Sequence, residues 1–204
     1  MSRIKLCGLM KIEDIQAANE LCPDYIGFVF AEKSRRYISP EQAARFKSIL
    51  SPIIKAVGVF VNESAENVAK LLNENVIDIA QLHGNESEDY IKKLRALTDK
   101  PIIKAFGIAD ENDVILAEKS SADYILLDSV GGGTGKAFDW GLIKNVTRPY
   151  FLAGGFDSEN VSDAINLLNP FAVDVSSGIE TDGIKDKNKM KNFVDTVRSI
   201  DKKE

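Results

Sequence analysis

The sequence predicts an α/β fold, a small single-domain (β/α)8 barrel with parallel strands and some short helices. Eight short runs rich in β-branched and aromatic residues recur at a steady interval along the 204 residues. The stretches between them carry helical patterns, and no Gly-, Ser- or Pro-rich linker interrupts the series. Such alternation is typical of βα units with a parallel sheet, and eight units close a (β/α)8 TIM barrel. We therefore predict one domain over residues 1–204.

The predicted strands are the apolar runs that turn residues bound on both sides. They occupy residues 4–8, 25–30, 54–61, 79–84, 102–108, 124–129, 149–155 and 172–178. A doubly wound dinucleotide-binding sheet is the structural alternative, and it would place a G-x-G-x-x-G motif after the first strand. Here Gly8 is followed by Leu9, Met10 and Lys11, so the sequence favours the barrel.

Helix signals lie in the intervals between the strands. Ser39 is a suitable N-cap and precedes a proline at the first helical position. Asn85 begins a further helical segment, Asp157 and Ser158 precede another, and residues 111–120 and 139–145 leave room only for short helices. The apolar residues that recur at helical spacing are Val68, Leu71 and Leu72, then Tyr90, Ile91, Leu94 and Leu97, and then Val161, Ala164, Ile165 and Leu168.

The charge balance is acidic, with 26 Lys and Arg against 31 Asp and Glu and a formal net charge of −5. No basic run exceeds two residues before Lys202 and Lys203, so the basic patch typical of nucleic-acid binders is missing. We expect no nucleic-acid partner. An anionic small molecule would need a local cationic pocket within this acidic protein.

Cysteine usage and hydropathy point to the cytoplasm. Cys7 and Cys22 are the only cysteines and do not form a C-x-x-C pair, and reduced thiols are typical of the cytosol. The first residues lack the apolar stretch and cleavage site of a leader. No apolar run approaches the ~18 residues of a membrane span, so we expect no membrane partner. Cys22 is predicted to lie within a helix as a small buried hydrophobe.

In (β/α)8 barrels the site is built at the carboxyl ends of the strands, and this rule selects a short set of residues. They are Cys7, Arg35 or Arg36, His83, Asp128, the pair Gly154 and Gly155, and the run Ser176, Ser177 and Gly178. The last two groups follow strands seven and eight, where bare N–H groups beside a helix start often bind phosphate. A tight turn or a simple cap would explain either loop alone. Together they predict a phosphate site.

A third glycine-rich stretch covers residues 131–135 and is followed by Lys136. It resembles a P-loop only superficially, since Val130 stands where the motif needs glycine and Ala137 follows the lysine. Two interpretations stay open for it: a mobile lid or backbone wall near the phosphate, or a surface loop.

Cys7 and Asp128 end strands one and six and approach the barrel mouth from different sides. A thiolate there can act as base or nucleophile, although a free cysteine is often only a small buried hydrophobe. Asp128 follows an apolar run, so its carboxyl is either solvated at the rim or a general acid with a raised pKa. The arrangement suits an acid on one face of a substrate and a base on the other.

Three further groups have both a functional and a structural interpretation. His83, the only histidine, excludes multi-histidine metal sites, and it either orients substrate or hydrogen-bonds to backbone. A guanidinium from the paired arginines after strand two either lies on the surface or forks onto a carboxylate. Lys5 shares side-chain parity with Cys7 and is expected to point into the lumen, where it needs a carboxylate partner such as Asp174.

The motifs that end the strands form an ordered set along the chain. They are Lys5-Leu6-Cys7-Gly8, Gly27-Phe28-Val29-Phe30, Ser34-Arg35-Arg36-Tyr37-Ile38, Gly58-Val59-Phe60-Val61-Asn62, Gln81-Leu82-His83-Gly84, Leu127-Asp128, Gly132-Gly133-Thr134-Gly135-Lys136-Ala137-Phe138-Asp139-Trp140, Leu152-Ala153-Gly154-Gly155 and Asp174-Val175-Ser176-Ser177-Gly178-Ile179-Glu180. This set covers nearly the whole chain and resembles the phosphoribosylanthranilate isomerase family, whose barrels serve tryptophan biosynthesis. One departure is Leu9-Met10-Lys11, where family members commonly have Ile-Thr or Ile-Lys after the Cys-Gly pair.

The resemblance implies an isomerase that needs no cofactor and no metal. Its reaction is an Amadori rearrangement of N-(5-phosphoribosyl)anthranilate to 1-(2-carboxyphenylamino)-1-deoxyribulose 5-phosphate. By resemblance, Asp128 protonates the ribose ring oxygen and Cys7, as thiolate, removes the C2 proton. Arg36 holds the anthranilate carboxylate, His83 contacts substrate, and the expected assembly is a monomer or a homodimer. The implied phosphate-binding residues are Gly154, Gly155, Ser176, Ser177 and Gly178.

Other phosphate-binding barrels and a non-catalytic binder remain as alternatives. The histidine-pathway sugar isomerase performs the same chemistry with aspartates ending strands one and five, whereas here those ends carry Cys7 and Ala105-Phe106-Gly107. Triosephosphate isomerase would want a glutamate ending strand six, where Asp128 stands. A non-catalytic sugar-phosphate binder would keep the glycine loops but would not need Cys7 and Asp128.

Overall fold

The computed structural model describes residues 2–129 and 139–200, in which eight parallel strands form a closed barrel. The strands are Arg3–Cys7 (β1), Tyr25–Val29 (β2), Lys55–Phe60 (β3), Ile79–Leu82 (β4), Ile102–Ile108 (β5), Tyr124–Ser129 (β6), Tyr150–Leu152 (β7) and Ala172–Val175 (β8). Each pairs with its neighbour in chain order, and β8 pairs with β1 to close the ring. The predicted (β/α)8 fold is confirmed.

The helices of the described residues lie between the strands and cover the outside of the barrel. They are Ile12–Leu21 (α1), Pro40–Ile49 (α2), Ala65–Asn73 (α3), Glu88–Arg95 (α4), Glu111–Glu118 (α5), Val161–Leu168 (α6) and Lys187–Ile200 (α7), with short 3₁₀ turns at Trp140–Ile143 (η1) and Ser177–Ile179 (η2). The hydroxyls of Ser39 and Ser64 cap α2 and α3 by accepting backbone N–H groups three residues further on. The stretches 111–120 and 139–145 hold only α5 and η1, so they are short as predicted.

One helix begins later than the sequence predicted. The Tyr90 N–H donates to the Ser87 hydroxyl at 3.3 Å, so this serine caps α4 and residues 85–87 stay outside the helix. Leu97 lies beyond the end of α4 and is exposed. Asp157 accepts the Asn160 N–H at 3.2 Å in the turn before α6, so this helix follows Asp157 and Ser158 as predicted.

Cys22 was predicted to be buried within a helix, and this prediction is wrong. It follows the last residue of α1 in a left-handed conformation, with φ 48°, and its side chain is exposed. Its N–H donates to the Ala18 carbonyl at 2.7 Å and its thiol donates to the Asn19 carbonyl at 3.1 Å. The cause is Pro23, because a residue before proline avoids the helical conformation.

Aromatic side chains close the lumen at the amino ends of the strands. Phe151 lies at the centre, with its ring centroid 5.2 Å from that of Tyr25 and 5.8 Å from that of Tyr124. Phe171 packs 5.6 Å from Phe151, and the Arg3 guanidinium lies 4.2 Å from the Phe171 ring centroid. This aromatic plug, formed by Tyr25, Tyr124, Phe151 and Phe171, fills the lumen at the amino ends of the strands.

The structure adds an antiparallel hairpin between η2 and α7 that the sequence did not predict. Its strands are Glu180–Thr181 (β9) and Ile184–Lys185 (β10). Asp182 and Gly183 form the turn with φ of 53° and 79°, a conformation that favours glycine. The hairpin lies directly after the barrel mouth in the chain, and its side chains reach the site described below.

Six barrel strands end before their predicted ends: β1, β2 and β3 by one residue each, and three others by two or three residues. Strand β4 ends at residue 82 instead of 84, β7 at 152 instead of 155, and β8 at 175 instead of 178. After β7 the chain leaves the strand conformation because Gly154 and Gly155 have φ of 111° and 69°. The glycine-rich stretch 131–135, with Lys136, lies outside the described residues. In ranges 2–129 and 139–200, no helix has the length and apolar character that crossing a membrane requires.

Candidate active site

A cavity of about 210 Å³ opens at the carboxyl ends of the strands. It brings together most of the predicted site residues, namely Cys7, Arg36, His83, Asp128, Gly154, Gly155, Ser176 and Ser177. Arg35 and Gly178 are not part of its lining. The predicted groups from strands one, four, six, seven and eight therefore share one space, and their roles remain predictions.

Cys7 is the last residue of β1, and its thiol is buried in the cavity wall. Gly27 stands beside it in β2, and a Cβ at Gly27 would lie 2.6 Å from Cys7 Sγ. Glycine is therefore required in β2 for the thiol to occupy the lumen. Burial raises the pKa of the Cys7 thiol, and the Lys5 ammonium partly opposes that rise. Sequence reasoning missed Gly27 because its role depends on the register between strands.

Lys5 lies below Cys7 in β1 and is fully buried. Its Nζ donates to both carboxylate oxygens of Asp174, at 2.9 and 3.0 Å, and the two residues are register partners in β1 and β8. Burial by itself lowers the pKa of Lys5, but Asp174 and Cys7 together raise it above its ordinary value. The predicted pairing is confirmed, and it holds a positive charge beneath the thiol.

Asp128 lies near the end of β6 and is only 7% exposed. The Ser129 N–H donates to its Oδ1 at 2.7 Å. Burial raises the pKa of the Asp128 carboxyl, and His83 partly opposes that rise. Its burial argues against a carboxylate solvated at the rim, and the alternative interpretation, a general acid with a raised pKa, stays a prediction.

His83 follows β4 and takes its orientation from Gln81. The Gln81 Nε2 lies 2.8 Å from His83 Nδ1, within hydrogen-bond distance. Nε2 lies 3.8 Å from Asp128 Oδ2, beyond hydrogen-bond distance. Burial lowers the pKa of His83 against the opposing effect of Asp128, so the ring is neutral near pH 7. Gln81 was not singled out from the sequence, although it shares inward parity with Ile79 and His83 in β4.

The loops after β7 and β8 meet at the cavity. The Asn160 Nδ2 donates to the Gly155 carbonyl at 3.0 Å, and the Ser176 hydroxyl donates to the Cys7 carbonyl at 3.2 Å. Gly178 lies outside the cavity lining, at the point where the two loops approach each other closely. A Cβ there would lie 1.8 Å from the Phe156 carbonyl oxygen. Its glycine identity therefore follows from the close approach of the two loops.

Arg35 and Arg36 point in different directions. The Arg36 side chain is 12% exposed and lines the cavity, whereas the Arg35 side chain is 60% exposed. Arg36 donates from Nε to Glu180 Oε1 at 2.6 Å and from Nη2 to Oε2 at 3.0 Å. Gly8 makes room for the arginine, because a Cβ at Gly8 would lie 2.5 Å from Arg36 Cδ. Arg36 thus forms the expected pair of parallel hydrogen bonds to a carboxylate. The acceptor is Glu180, to which the sequence assigned no role.

The fold and the cavity define a (β/α)8-barrel protein with buried ionisable groups and glycine- and serine-containing loops at the carboxyl ends of its strands, the place where barrel enzymes carry their sites. The family model of N-(5'phosphoribosyl)anthranilate (PRA) isomerase matches residues 4–196. An N-(5'-phosphoribosyl)anthranilate isomerase from Thermoanaerobacter sp. (strain X514) is 46% identical over 206 residues, covering 98% of this chain and 100% of that relative.

Solved structures agree with the family match. The crystal structure of phosphoribosyl anthranilate isomerase from Thermotoga maritima has a TM-score of 0.88 at 38% identity, covering 98% of this chain and 100% of that chain. A phosphoribosyl anthranilate isomerase in complex with reduced 1-(o-carboxyphenylamino)-1-deoxyribulose 5-phosphate has a TM-score of 0.86 at 38% identity, with the same coverage of 98% and 100%. The chain belongs to the phosphoribosylanthranilate isomerase family, and it is an isomerase.

Proposed function

We propose that this chain catalyses the Amadori rearrangement of N-(5'-phosphoribosyl)anthranilate to 1-(o-carboxyphenylamino)-1-deoxyribulose 5-phosphate in tryptophan biosynthesis, with Asp128 as general acid and Cys7 as general base. The observation that carries the proposal is one cavity in which a buried carboxyl and a buried thiol meet, together with an arginine and two loops suited to anions. Membership of the isomerase family supports the same reaction.

The first step is ring opening. Asp128 in its protonated form donates a proton to the ribose ring oxygen, the C1–O bond breaks, and the nitrogen lone pair forms a C1=N iminium. Burial raises the pKa of Asp128, which favours the protonated carboxyl that this step requires. His83, whose Nδ1 lies 2.8 Å from Gln81 Nε2, contacts the substrate beside Asp128 in this proposal.

The second step is removal of the C2 proton. The Cys7 thiolate takes this proton, the C–H electrons neutralise the iminium, and the resulting enolamine tautomerises to a ketone at C2 and an amine at C1. The iminium acidifies the C2–H bond, so the electron sink lies within the substrate. The Lys5 ammonium below Cys7 stabilises the thiolate.

The active protonation state combines a protonated Asp128 with an ionised Cys7. Burial raises the pKa of both groups, and the pKa of a thiol ordinarily lies well above that of a carboxyl. Between the two pKa values the population of this minor form is constant, because each unit of pH lowers one fraction as much as it raises the other. The proposal therefore predicts a broad pH plateau for kcat/KM.

Two anion sites anchor the substrate between acid and base. Arg36 binds the anthranilate carboxylate, and the loops after β7 and β8 bind the phosphate. The proposed phosphate-binding residues are Gly154, Gly155, Ser176, Ser177 and, through its backbone, Gly178. Holding both ends of the sugar lowers the entropic part of the barrier.

We further propose that residues 1–204 form one domain that works in the cytoplasm as a monomer or homodimer, on a small-molecule substrate alone. The net charge of −5 supports the absence of a nucleic-acid partner. Independence of cofactor and metal is part of the same proposal, because an acid and a base complete the reaction.

The test is an assay with purified protein, no added metal or cofactor, and N-(5'-phosphoribosyl)anthranilate generated fresh in the cuvette. We expect its fluorescence to decay well above the spontaneous rate, and this decay to be lost in Cys7→Ala and in Asp128→Asn. Arg36→Ala should mainly raise KM. A folded parent without activity would reject the isomerase proposal in favour of a sugar-phosphate binder, and full activity in Cys7→Ala would reject the assigned base.

A further inference from the structure

We propose that Glu180 is a positioning residue for Arg36: it fixes which edge of the guanidinium faces the cavity, and so determines how the substrate carboxylate is held. The inference rests on the proposed function and deepens it, because Arg36 is the proposed carboxylate-binding group. Glu180 itself does not line the cavity, so it acts through the arginine.

The pairing between Glu180 and Arg36 leaves one defined edge of the guanidinium for a second anion. A guanidinium carries five N–H donors in a rigid plane. Glu180 accepts from Nε at 2.6 Å and from one Nη2 hydrogen at 3.0 Å. One Nη1 hydrogen and the second Nη2 hydrogen lie on the adjoining edge, which has the geometry to bind another carboxylate by two parallel bonds.

The arginine is fixed along its stem as well as at its head. Its side chain is 12% exposed, and Gly8 packs so closely that a Cβ there would lie 2.5 Å from Arg36 Cδ. A side chain held at both points loses little rotational freedom when a ligand binds, which favours affinity. Glu180 is the residue that fixes the guanidinium.

The negative charge of Glu180 does not cancel the attraction for an anion. Arg35 Nη2 donates to Glu180 Oε2 at 2.8 Å and Lys185 Nζ donates to Oε1 at 2.6 Å. Together with Arg36, this makes three cations around one carboxylate. Burial raises the pKa of Glu180, but hydrogen bonds from Arg36 and Lys185 bring it below its ordinary value. The carboxylate stays ionised, and the cluster keeps a net positive charge toward the substrate.

The β9–β10 hairpin is the element that brings these groups together. Glu180 and Lys185 are register partners across it. Lys185 Nζ also donates to the Ser176 carbonyl at 2.8 Å, and Ser176 in turn bonds the Cys7 carbonyl through its hydroxyl at 3.2 Å. The hairpin thus joins the carboxylate-binding arginine to the proposed phosphate loop and to the end of β1.

The experiment is a double-mutant cycle on binding. Calorimetry measures the Kd of reduced 1-(o-carboxyphenylamino)-1-deoxyribulose 5-phosphate for the parent, Glu180→Gln, Arg36→Met and the double variant. We expect Glu180→Gln to raise Kd about tenfold, and to change Kd less than about twofold when Arg36 is already methionine. In turnover, Glu180→Gln should raise KM by about the same factor and leave kcat within about threefold.

Two controls separate positioning from general damage to the hairpin. Lys189 Nζ donates to the main-chain carbonyl of Glu180 at 2.7 Å and does not touch its carboxylate, so Lys189→Gln should bind the analogue like the parent. Inorganic phosphate probes the other end of the cavity, and its competitive inhibition constant in Glu180→Gln should stay within about threefold of the parent value.

An unchanged Kd in Glu180→Gln, or an equal loss with and without Arg36, would overturn the proposal. If Glu180→Gln does not fold, Glu180→Asp takes its place: it keeps the charge, withdraws the carboxylate by one methylene, and should also raise Kd about tenfold. A parent that binds the analogue but does not turn over substrate would reject the proposed function, while the Kd comparison would still decide the role of Glu180. A parent that does not bind the analogue would overturn both.

Discussion

At the amino ends of the strands the barrel lumen is filled by the aromatic plug, whereas at the carboxyl ends it holds Lys5, Cys7, Asp128 and Asp174. The first region follows the usual rule that apolar side chains fill the core, and each buried aromatic stabilises the fold by about 2–3 kcal/mol. The second region buries ionisable groups, whose charged forms are better solvated by water. This loss of solvation raises the pKa values of Cys7 and Asp128. The comparison teaches that stability and chemistry are separated along the barrel axis.

Asp128→Asn should have the largest effect, confined to the carboxyl end. An amide cannot donate an acidic proton to the ring oxygen, so we expect kcat to fall about 10²–10⁴-fold. Fluorescence decay of the substrate measures this loss. Asp99→Asn, at an exposed aspartate, is the matched control and should keep parent activity. Retention of activity by Asp128→Asn would show that the acid lies elsewhere.

Phe151→Ala changes the other region, at the amino ends of the strands, and should affect stability rather than activity. Phe151 is fully buried in the aromatic plug, so its truncation should lower the free energy of unfolding by about 3–5 kcal/mol. Because the cavity lies at the other end of the lumen, kcat of the folded fraction should stay within about twofold of the parent. Urea titration and the activity assay measure the two quantities. Leu167→Ala, at an exposed leucine in α6, should change neither.

Lys5→Met sharpens the comparison by changing the charge beneath the thiol. Without the ammonium the pKa of Cys7 rises further, so the alkaline limb of kcat/KM should move to higher pH and the plateau should fall about tenfold. The acid limb, set by Asp128, should not move. Lys104→Met removes another buried lysine, paired with Glu86 at 3.0 Å outside the cavity, and should leave both limbs in place. An unmoved alkaline limb in Lys5→Met would separate Lys5 from Cys7.

Thiol labelling compares the reactivity of the two cysteines and should show the smallest effect of these predictions. Cys22 is exposed and Cys7 is buried, so a thiol-specific disulfide reagent should modify Cys22 first, by a factor of about ten or more in rate. Activity should survive this fast phase and disappear only with the slow one. Cys22→Ser should remove the fast phase alone. Loss of activity in the fast phase would contradict the assignment of Cys7 as base.

The sequence could predict the barrel and much of the site, because both follow from local signals. Runs of β-branched residues mark the strands, and the position at a strand end marks Cys7 and Asp128. The pairing of Lys5 with Asp174 follows from parity and from the need of a buried ammonium for a carboxylate. Each of these arguments needs only one strand or two neighbouring ones.

The rest depends on contacts that no local pattern reports. Glu180 and Arg36 lie 144 residues apart, and β9 and β10 have two residues each, too few for a periodicity to appear. The need for glycine at Gly27 depends on the register of β1 with β2. At Cys22 the helical pattern predicts a helix interior, but Pro23 disfavours the helical conformation of the residue before it and ends α1.

The separation of stability from chemistry is tested most directly by urea unfolding of Asp128→Asn beside the parent at neutral pH. A carboxyl whose folded pKa is raised destabilises the native state as the pH rises above the unfolded pKa, and the penalty is complete once the pH exceeds the folded pKa; below the unfolded pKa there is none. The account therefore predicts that the inactive variant is more stable than the parent near pH 7, by roughly 1 kcal/mol, and that the difference vanishes in acid. A variant that unfolds more easily than the parent near pH 7 would show that Asp128 holds the barrel together, and would contradict the separation.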